Sequence, residues 1–218
     1  MLGLFRAGYR GIPALGAWIY KVSAGRMLRG FHRVVAEEVS SLVSQGPLLD
    51  AGCGTAGLLI EAGRIKCPPQ GFIGLDISAA MARIALSEVR KAGLGSCVDL
   101  VVGDAHAMPF RSSSVEVAAS TGTLHHLPKP PEFFEECRRV ARSVCMVYEF
   151  SHDVPWREFS EGARRLSMPP LLMKLTSALH GIPRREFVYG AVARALERAG
   201  VRHEVVFMGP VTLLRISR

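Results

Sequence analysis

Apolar and polar positions follow two rhythms along the chain, and they predict an alternation of helices and strands. Apolar side chains recur at helical spacing between Met27 and Val43, with charged residues interleaved, which predicts an amphipathic helix over 26–45. Two short apolar runs that each end in an acid predict buried strands at Leu48–Asp50 and Phe72–Asp76. Further strands are predicted over 98–102, 115–120 and 144–150, with helices over 55–65, from the Ser78 cap to the Gly93 stop, and over 131–141.

The C-terminal part of the chain has a different pattern. A helix is predicted over 189–199, stopped by Gly200, and two strand-like runs follow over 201–208 and 211–217. The two residues between these runs can join only antiparallel strands. Strands that alternate with helices indicate βαβ units. The expected fold class is therefore α/β, with a mostly parallel sheet that carries an antiparallel C-terminal hairpin at its edge.

Two segments do not fit this alternation, and they divide the chain. Residues 1–45 are predicted to form N-terminal cap helices, and residues 46–218 to form the main domain. Within that domain the stretch 151–187 holds four prolines among large apolar side chains, and its 37 residues exceed an ordinary connection. We expect this stretch to form a lid over the binding site. The alternative is a helical decoration that only thickens the core.

Composition narrows the class of protein. With 218 residues, 49% of them apolar, the chain suits one compact domain and is not disordered. Its net charge of +8 permits RNA, anionic lipid or acidic metabolites as partners but selects none of them. The apolar stretch over 11–20 is shorter than the about 20 residues of a membrane-spanning helix, so we expect no membrane span. Five cysteines without a C-x-x-C pair predict reduced thiols, no zinc site and a cytoplasmic protein.

A glycine-rich turn carries the strongest chemical signal. Gly52, Gly54 and Gly57 form a G-x-G-x-x-G pattern between a strand and a helix, where glycine lets the backbone turn tightly and a ligand approach the amides. One interpretation is a dinucleotide site with Asp76 as the ribose acid. Asp50 argues against it, because a carboxylate there would repel a pyrophosphate and favour a ligand with an amino group. S-adenosylmethionine has an ammonium and a sulfonium but no phosphate, and it suits this arrangement of charge.

Three acidic strand ends follow one another at regular spacing. Asp50, Asp76 and Asp104 lie 26 and 28 residues apart, so a parallel sheet would bring them to one edge. Each acid alone could equally be a strand-end or cap residue, but the set together with the glycine turn indicates a nucleoside site. Asp50 is predicted to hold the methionine end through water or the amides of the glycine turn, and Asp76 to accept from both ribose hydroxyls. Asp104 would accept from the adenine amino group while the Ala105 amide donates to a ring nitrogen.

Four segments in this order resemble the motifs of a known family. They read LLDAGCGTAG, GLDISAAMARIA, GDAHAMPF and STGTLHHLP. They are similar to class I S-adenosylmethionine-dependent methyltransferases, in the small-molecule branch (methyltransferase type 11) that includes the ubiquinone/menaquinone-biosynthesis enzymes. The resemblance covers residues 48–150 and implies a Rossmann-like, seven-stranded sheet. The cofactor contacts that it implies are at Asp50, Ala51, Gly52, Gly54, Asp76, Ile77, Met81, Asp104, Ala105, Ser120 and Thr121.

Three further residues, Cys53, Gly103 and Tyr20, are candidate contacts of the cofactor. Cys53 in the glycine turn is interpreted as a small filler rather than a nucleophile, because no base is spaced to activate it. Gly103 ends the third predicted strand. Tyr20 either reaches over the cofactor or packs beneath the first helix.

The chain departs from the family pattern at Ala56, where glycine is frequent, and at Glu116, where aspartate is usual and the side chain is expected to serve the structure.

Two histidines follow the fourth predicted strand, beside the expected position of the transferred methyl group. His126 is the candidate general base, and the alternative for His125 and His126 is a short helix end that packs or caps. No cluster of metal ligands is visible in the sequence, so no metal is proposed. Holding the acceptor within about 3–3.5 Å of the methyl group and excluding water would supply most of the catalysis.

The expected function is transfer of a methyl group from S-adenosylmethionine to a small, lipophilic or aromatic acceptor. An RNA or protein methyltransferase is compatible with the charge of +8, but the sequence shows no appended RNA-binding domain and no Asn-Pro-Pro-aromatic tetrapeptide. A non-catalytic S-adenosylmethionine-binding protein would keep Asp50 and Asp76. A nicotinamide oxidoreductase is disfavoured by Asp50.

Overall fold

The computed structural model describes residues 27–177 and 181–217. These residues form helices packed on one seven-stranded sheet. Its strands are β1 (Leu48–Ala51), β2 (Phe72–Asp76), β3 (Val98–Val102), β4 (Val115–Thr121), β5 (Ala141–Phe150), β6 (His203–Met208) and β7 (Val211–Ser217). They lie in the order β3-β2-β1-β4-β5-β7-β6. Strands β1 to β5 are parallel, whereas β7 pairs antiparallel with β5 and β6. The predicted α/β fold with an antiparallel C-terminal edge is confirmed.

Helices connect the parallel strands and cover both faces of the sheet. They are α1 (Arg29–Leu42), α2 (Gly57–Ile65), α3 (Ala79–Lys91), α4 (Pro130–Val140), α5 (Trp156–Arg165), α6 (Pro170–Ser177) and α7 (Ala193–Arg198). A 3-10 turn covers Leu124–His126, and a π-helix over Phe187–Val192 precedes α7. The helix predicted over 189–199 therefore begins earlier, and its first part has π geometry. Within 27–177 and 181–217, no helix is long and apolar enough to cross a membrane.

Two apolar layers hold the helices against the sheet. On one face Phe31 of α1 is fully buried, with its ring 5.0 Å from that of Phe150 and 6.2 Å from that of Tyr148. On the other face α4 buries Phe133 and Phe134. Full burial of such a ring stabilises the fold by about 1.5–3 kcal/mol. The first predicted helix thus forms, and its apolar spacing matches the face that it buries.

The described residues of the segment 151–187 include α5 and α6, which pack into the first of these layers. Phe159 and Leu166 are buried in the same cluster as the apolar face of α1. Gly30 of α1 lies so close to Ser167 that a side chain at position 30 would collide with it. In the described part of the chain, this segment therefore contributes to the core beside α1.

A disulfide bond joins Cys67 to Cys97, so the expectation of reduced thiols is wrong for this pair. The two cysteines are 30 residues apart in sequence, but they precede β2 and β3, which pair side by side. Their spacing alone does not reveal this strand pairing. Cys53, Cys137 and Cys145 are free and buried. Because disulfides persist mainly in oxidising surroundings, the cytoplasmic location loses its support from the thiols and stays a prediction.

Glu116, at the start of β4, fixes the connection between α1 and β1. Its Oε2 accepts hydrogen bonds from the backbone amides of Ser44, Gln45 and Gly46 at 3.1, 3.0 and 2.6 Å. Its Oε1 accepts from the Ser44 hydroxyl at 2.6 Å. The hydroxyl first, and then the amides, outweigh the effect of burial and lower the pKa of Glu116 to about 2. These contacts agree with the structural role expected for this position.

Replacing Glu116 with glutamine is expected to destabilise the fold in a pH-dependent way. The folded pKa lies below the ordinary value of 4.5, so the stabilisation is present above pH 4.5 and is lost as the pH falls towards 2. We expect Glu116→Gln to lower the free energy of unfolding by about 1 kcal/mol at pH 7, a small value because the side chain is partly exposed.

Urea unfolding at pH 7 and pH 3 measures the effect of Glu116→Gln, and the difference from the parent chain should be smaller at the lower pH. Glu197→Gln, at an exposed position on α7, is the matched control. An equal loss at both pH values would contradict the role of the charge.

Candidate functional site

A cavity of about 340 Å³ opens at the carboxyl edge of the sheet, where the strand order reverses between β1 and β4. Open α/β sheets bind ligands at such a reversal, in the crevice outside the carboxyl ends of the strands. The wall of the cavity is built from the last residues of β2 and β4, from the segments that follow β1, β2, β3 and β4, and from one residue of α1. The predicted site residues that the structure brings to this wall are Gly52, Cys53, Gly54, Asp76, Ile77, Met81, Gly103, Asp104, Ala105, Thr121 and His126.

The turn after β1 has the backbone conformation that its glycines predict. Gly52 and Gly54 have φ angles of 79° and 54°, in the left-handed region that glycine adopts without penalty. The amides of Gly52 and Cys53 both donate to the Leu75 carbonyl, at 2.7 and 3.0 Å. Ala56 also has a positive φ, of 62°, so the turn keeps this conformation without a fourth glycine. A non-glycine residue held in this region costs about 1–3 kcal/mol.

Asp76, at the end of β2, joins the glycine turn to the start of α3. Its Oδ2 accepts from the Gly54 amide at 2.9 Å, and its Oδ1 accepts from the Ser78 amide at 2.8 Å. A carboxylate has about four lone-pair sites, so acceptor capacity remains for a ligand in the cavity. Burial raises the pKa of Asp76, and the two amides oppose this shift. Ser78 caps α3 as predicted, since its hydroxyl accepts from the Met81 amide at 3.3 Å.

Three predicted contacts lie behind the wall of the cavity rather than on its surface. Asp50, Ala51 and Ser120 are almost fully buried, and the Ser120 hydroxyl donates to the Ala51 carbonyl at 2.7 Å. The Oδ1 of Asp50 has no hydrogen-bond partner among the described residues. Burial, followed by the nearby charge of Asp76, raises the pKa of Asp50 to about 8. A buried polar group without a partner is costly, so a cation next to the glycine turn would stabilise Asp50 in its ionised form.

Asp104 follows β3 and is held by a neighbouring histidine. Its Oδ1 accepts from the His106 amide at 2.8 Å and lies 2.7 Å from Nδ1 of the His106 ring. Burial opposes ionisation, but His106 and the charge of Lys129 outweigh it and lower the pKa of Asp104. Asp104 and Ala105 lie side by side on the wall, as the recognition of a base edge predicted for them requires.

A buried carboxylate on β5 holds the turn that follows β4. Glu149 is fully buried, and it accepts from the backbone amide and the ring Nδ1 of His125, each at 2.9 Å, and from the Phe150 amide at 2.7 Å. The ring of His125 lies 3.9 Å from that of His126, which lines the cavity. Burial lowers the pKa of His125, but the charge and hydrogen bond of Glu149 outweigh it, and the pKa is raised. His126 is thus supported from behind by an ion pair.

One wall residue, His32 of α1, was not indicated by the motifs. It is only 8% exposed and lies against the first turn of α2. The signal in the sequence is an imidazole beside Phe31 on the apolar face of the predicted helix.

Tyr20, the remaining predicted contact, lies outside the described residues. The other residues of the wall are Thr55, Gly57, Leu75, His106, Gly122, Thr123, Leu127 and Pro128.

The predicted lid is not on this wall. No described residue of 151–187 lines the cavity. Helices α5 and α6 pack beside α1, in the arrangement that the alternative interpretation requires. Closure of this segment over a ligand stays a prediction.

Comparison with known proteins finds similarity in the central part of the chain. Residues 49–147 match a family model described as a methyltransferase domain. Similar curated proteins include ajmaline N-methyltransferase of Rauvolfia serpentina, 32% identical over 48% of this chain and 35% of that protein. The 24-methylenesterol C-methyltransferase 2 of Oryza sativa subsp. japonica is 29% identical over 84% of this chain and 48% of its own length. Demethylmenaquinone methyltransferase of Lactiplantibacillus plantarum is 31% identical over 48% of this chain and 46% of its own. The chain thus spans less than half the length of each of these relatives.

Solved structures share the whole fold. A protein of Methanococcus maripaludis assigned as an S-adenosylmethionine-dependent methyltransferase has a TM-score of 0.73 at 19% identity, covering 94% of this chain and 93% of that one. A methyltransferase of Aquifex aeolicus that depends on the same compound has a TM-score of 0.65 at 21% identity, covering 91% and 95%. The Rossmann-like fold and the resemblance to class I S-adenosylmethionine-dependent methyltransferases are both confirmed.

Replacing Glu149 with glutamine is expected to destabilise the turn that carries His126. Removing one charge of a buried pair costs about 3 kcal/mol or more. Because the pKa of His125 is raised above 6.5 in the folded chain, the stabilisation from this pair is complete below that value and is lost as the pH rises through the folded pKa.

Urea unfolding of Glu149→Gln should therefore show a larger loss of stability at pH 6 than at pH 9, and NMR titration should show a lower pKa for His125. Glu135→Gln, at an exposed position on α4, is the control. An unchanged His125 titration would refute the ion pair.

Proposed function

We propose that this chain, whose residues 49–147 match a methyltransferase domain, binds S-adenosylmethionine and transfers its methyl group to a small, lipophilic or aromatic acceptor. One observation carries the proposal: Asp76 and Asp104 face one cavity, and behind it the Oδ1 of Asp50 has no hydrogen-bond partner among the described residues. No described residue of the wall is a lysine or an arginine. The charges of this site therefore favour a nucleoside with a cationic end over a nucleotide with phosphates.

The residues present fit S-adenosylmethionine along its length. Asp76 has acceptor capacity left for the two ribose hydroxyls, and Asp104 would accept from the amino group of the base. Ile77 and Met81 add apolar surface against which a purine ring would pack. The amino-acid end would lie over the glycine turn, where its ammonium would be close to Asp50.

The chemistry proposed for the protein is positioning and proton transfer. When bound, S-adenosylmethionine supplies an electrophilic methyl group on a positively charged sulfur. The walls of the cavity would hold the attacking atom of the acceptor within about 3–3.5 Å of that carbon and exclude water. His126 is placed on the wall to take the proton that an acceptor hydroxyl or amine loses. His125 and Glu149 would keep the His126 ring in position.

Two observations support a small, lipophilic acceptor. The relatives described above are named for ajmaline, a 24-methylenesterol and demethylmenaquinone, which are small molecules. Beyond His126 the wall continues with Leu127 and Pro128, which offer apolar surface next to the candidate base. A nucleic-acid acceptor would be expected to meet cationic side chains at the site, and the described wall has none.

Binding and transfer can be measured directly on the full chain. We expect calorimetry to show binding of S-adenosylmethionine and none of NAD. Labelled S-adenosylmethionine should then transfer its methyl group to the lipid-soluble fraction of a metabolite extract, and not to RNA or protein. Label in RNA alone would support an RNA methyltransferase, and binding of NAD instead would overturn the cofactor.

The variant Asp76→Asn is expected to bind S-adenosylmethionine about 10- to 100-fold more weakly, because the ribose hydroxyls lose a charged acceptor. Asp99→Asn, on the exposed side of β3, is the matched control and should bind normally. Unchanged affinity in Asp76→Asn would show that the ribose contact is assigned to the wrong residue.

Binding of the cationic ligand is also expected to release a proton from Asp50. With a pKa of about 8 in the free chain, this carboxyl is mostly protonated at pH 7, and a nearby ammonium favours its ionised form. Affinity should therefore rise with pH up to about 8 and level off above it. Calorimetry at pH 7 in two buffers of different ionisation enthalpy measures the proton. Asp50→Asn should abolish the release, and absence of any release in the parent chain would contradict this role.

A further inference from the structure

His32 and Gly57 lie against each other where α2 begins. A Cβ atom at position 57 would collide with the His32 imidazole, whose Nδ1 is the nearest atom. Gly57 is not among the residues with a positive φ, so its backbone conformation does not require glycine. The His32 ring therefore leaves no room for a side chain at position 57 in this arrangement.

His32 is a buried polar group that faces the cavity. The side chain lines the wall although the residue is only 8% exposed. Its imidazole makes no hydrogen bond to any other residue within the described ranges. Burial lowers the pKa of His32 to about 4, so at neutral pH the ring is uncharged and has one N–H donor and one acceptor nitrogen. A ligand that hydrogen-bonds this ring would satisfy a group that the protein leaves unpaired.

The place of His32 in the cavity indicates which part of a ligand it meets. The assignments of Asp104 and Asp76 put the base and the ribose over the ends of β3 and β2. The rest of the ligand then falls over β1 and β4, where Thr55 and His32 lie. The first amides of the nine-residue helix α2 are also there, and a helix N-terminus favours a negative group.

We propose that the neutral imidazole of His32 donates a hydrogen bond to the carboxylate of bound S-adenosylmethionine, and that Gly57 provides the space for this contact. The proposal rests on the function proposed above. An uncharged donor suits this position because a lysine or arginine would repel the ammonium next to the carboxylate and the sulfonium beyond it. The helix N-terminus and His32 together would bind the anionic group without adding a positive side chain.

Two probes separate the amino-acid end of the ligand from its nucleoside end. S-adenosylhomocysteine carries the carboxylate, and 5′-methylthioadenosine has the same nucleoside without the amino-acid end. The variant His32→Phe keeps an aromatic ring against Gly57 but cannot donate. We expect it to bind S-adenosylhomocysteine about 10- to 100-fold more weakly, as for loss of a hydrogen bond to a charged group. Its affinity for 5′-methylthioadenosine should not change, and His203→Ala, on β6, should bind both probes normally.

A pair of small substitutions tests the contact between the two positions. Gly57→Ala should displace the ring and weaken binding of S-adenosylhomocysteine to a degree similar to His32→Ala. In the double variant the added methyl group enters the space that the imidazole leaves, so the combined loss should be no larger than either single loss. Thermal unfolding of each variant shows whether the fold is retained.

The outcomes are distinct. Normal binding of S-adenosylhomocysteine by His32→Phe would overturn the contact. An equal loss for both probes would place His32 at the nucleoside end and overturn the assignment to the carboxylate. Losses that add in the double variant would overturn the spatial role of Gly57. If the parent chain binds neither probe, the proposed function itself fails, which is a different result from loss of the His32 contact alone.

Discussion

The parallel pairing of β1 with both β2 and β4 is the constraint on which the site depends. In this register Asp50 lies opposite Gly74 of β2 on one side and Ala119 of β4 on the other, and the residue is almost fully buried. The same pairing places the strand reversal at β1, and the cavity opens there. Every described wall residue except His32 lies at the end of one of the first four strands or in the segment that follows it. The order of the strands therefore fixes the order of the chemical groups along the cavity.

The electrostatics of the cavity differ from those of the whole chain. The chain has a net charge of +8, yet the described wall has carboxylates and no lysine or arginine. Several described arginines instead pair with acids away from the cavity, as Arg139 does with Glu136 and Arg215 with Glu38. Net charge is thus a poor guide to the cavity, where Asp76 and Asp104 lie on the wall and Asp50 is buried behind it.

The elements that the sequence predicts well are those whose signals are local. The strands Phe72–Asp76 and Val98–Val102 have the predicted bounds, because each is a short apolar run between turn residues. The Ser78 cap and the glycine turn likewise depend on neighbouring residues only. Asp76 and Asp104 reach the cavity because parallel strands present their ends at one edge, a rule that needs no knowledge of packing.

Features that depend on contacts between distant segments could not be predicted in this way. Strand register brings Cys67 to Cys97, and helix packing brings His32 to Gly57. Asp50 was predicted to act through water or the amides of the glycine turn, and its burial behind the wall depends on the packing around β1. The number of residues between two positions in the sequence does not give the distance between them in the fold.

The disulfide bond and the cavity lie at opposite ends of the strands. Cys67 and Cys97 precede their strands, whereas the cavity lies where strands end, so the covalent link and the ligand occupy opposite margins. A link at the amino-terminal margin limits the separation of β2 and β3 in the unfolded chain without occupying any position near the cavity. The covalent link and the residues that line the cavity are therefore independent features of this sheet. Loss of the Cys67–Cys97 link is therefore expected to lower the stability of the fold without changing the residues that line the cavity.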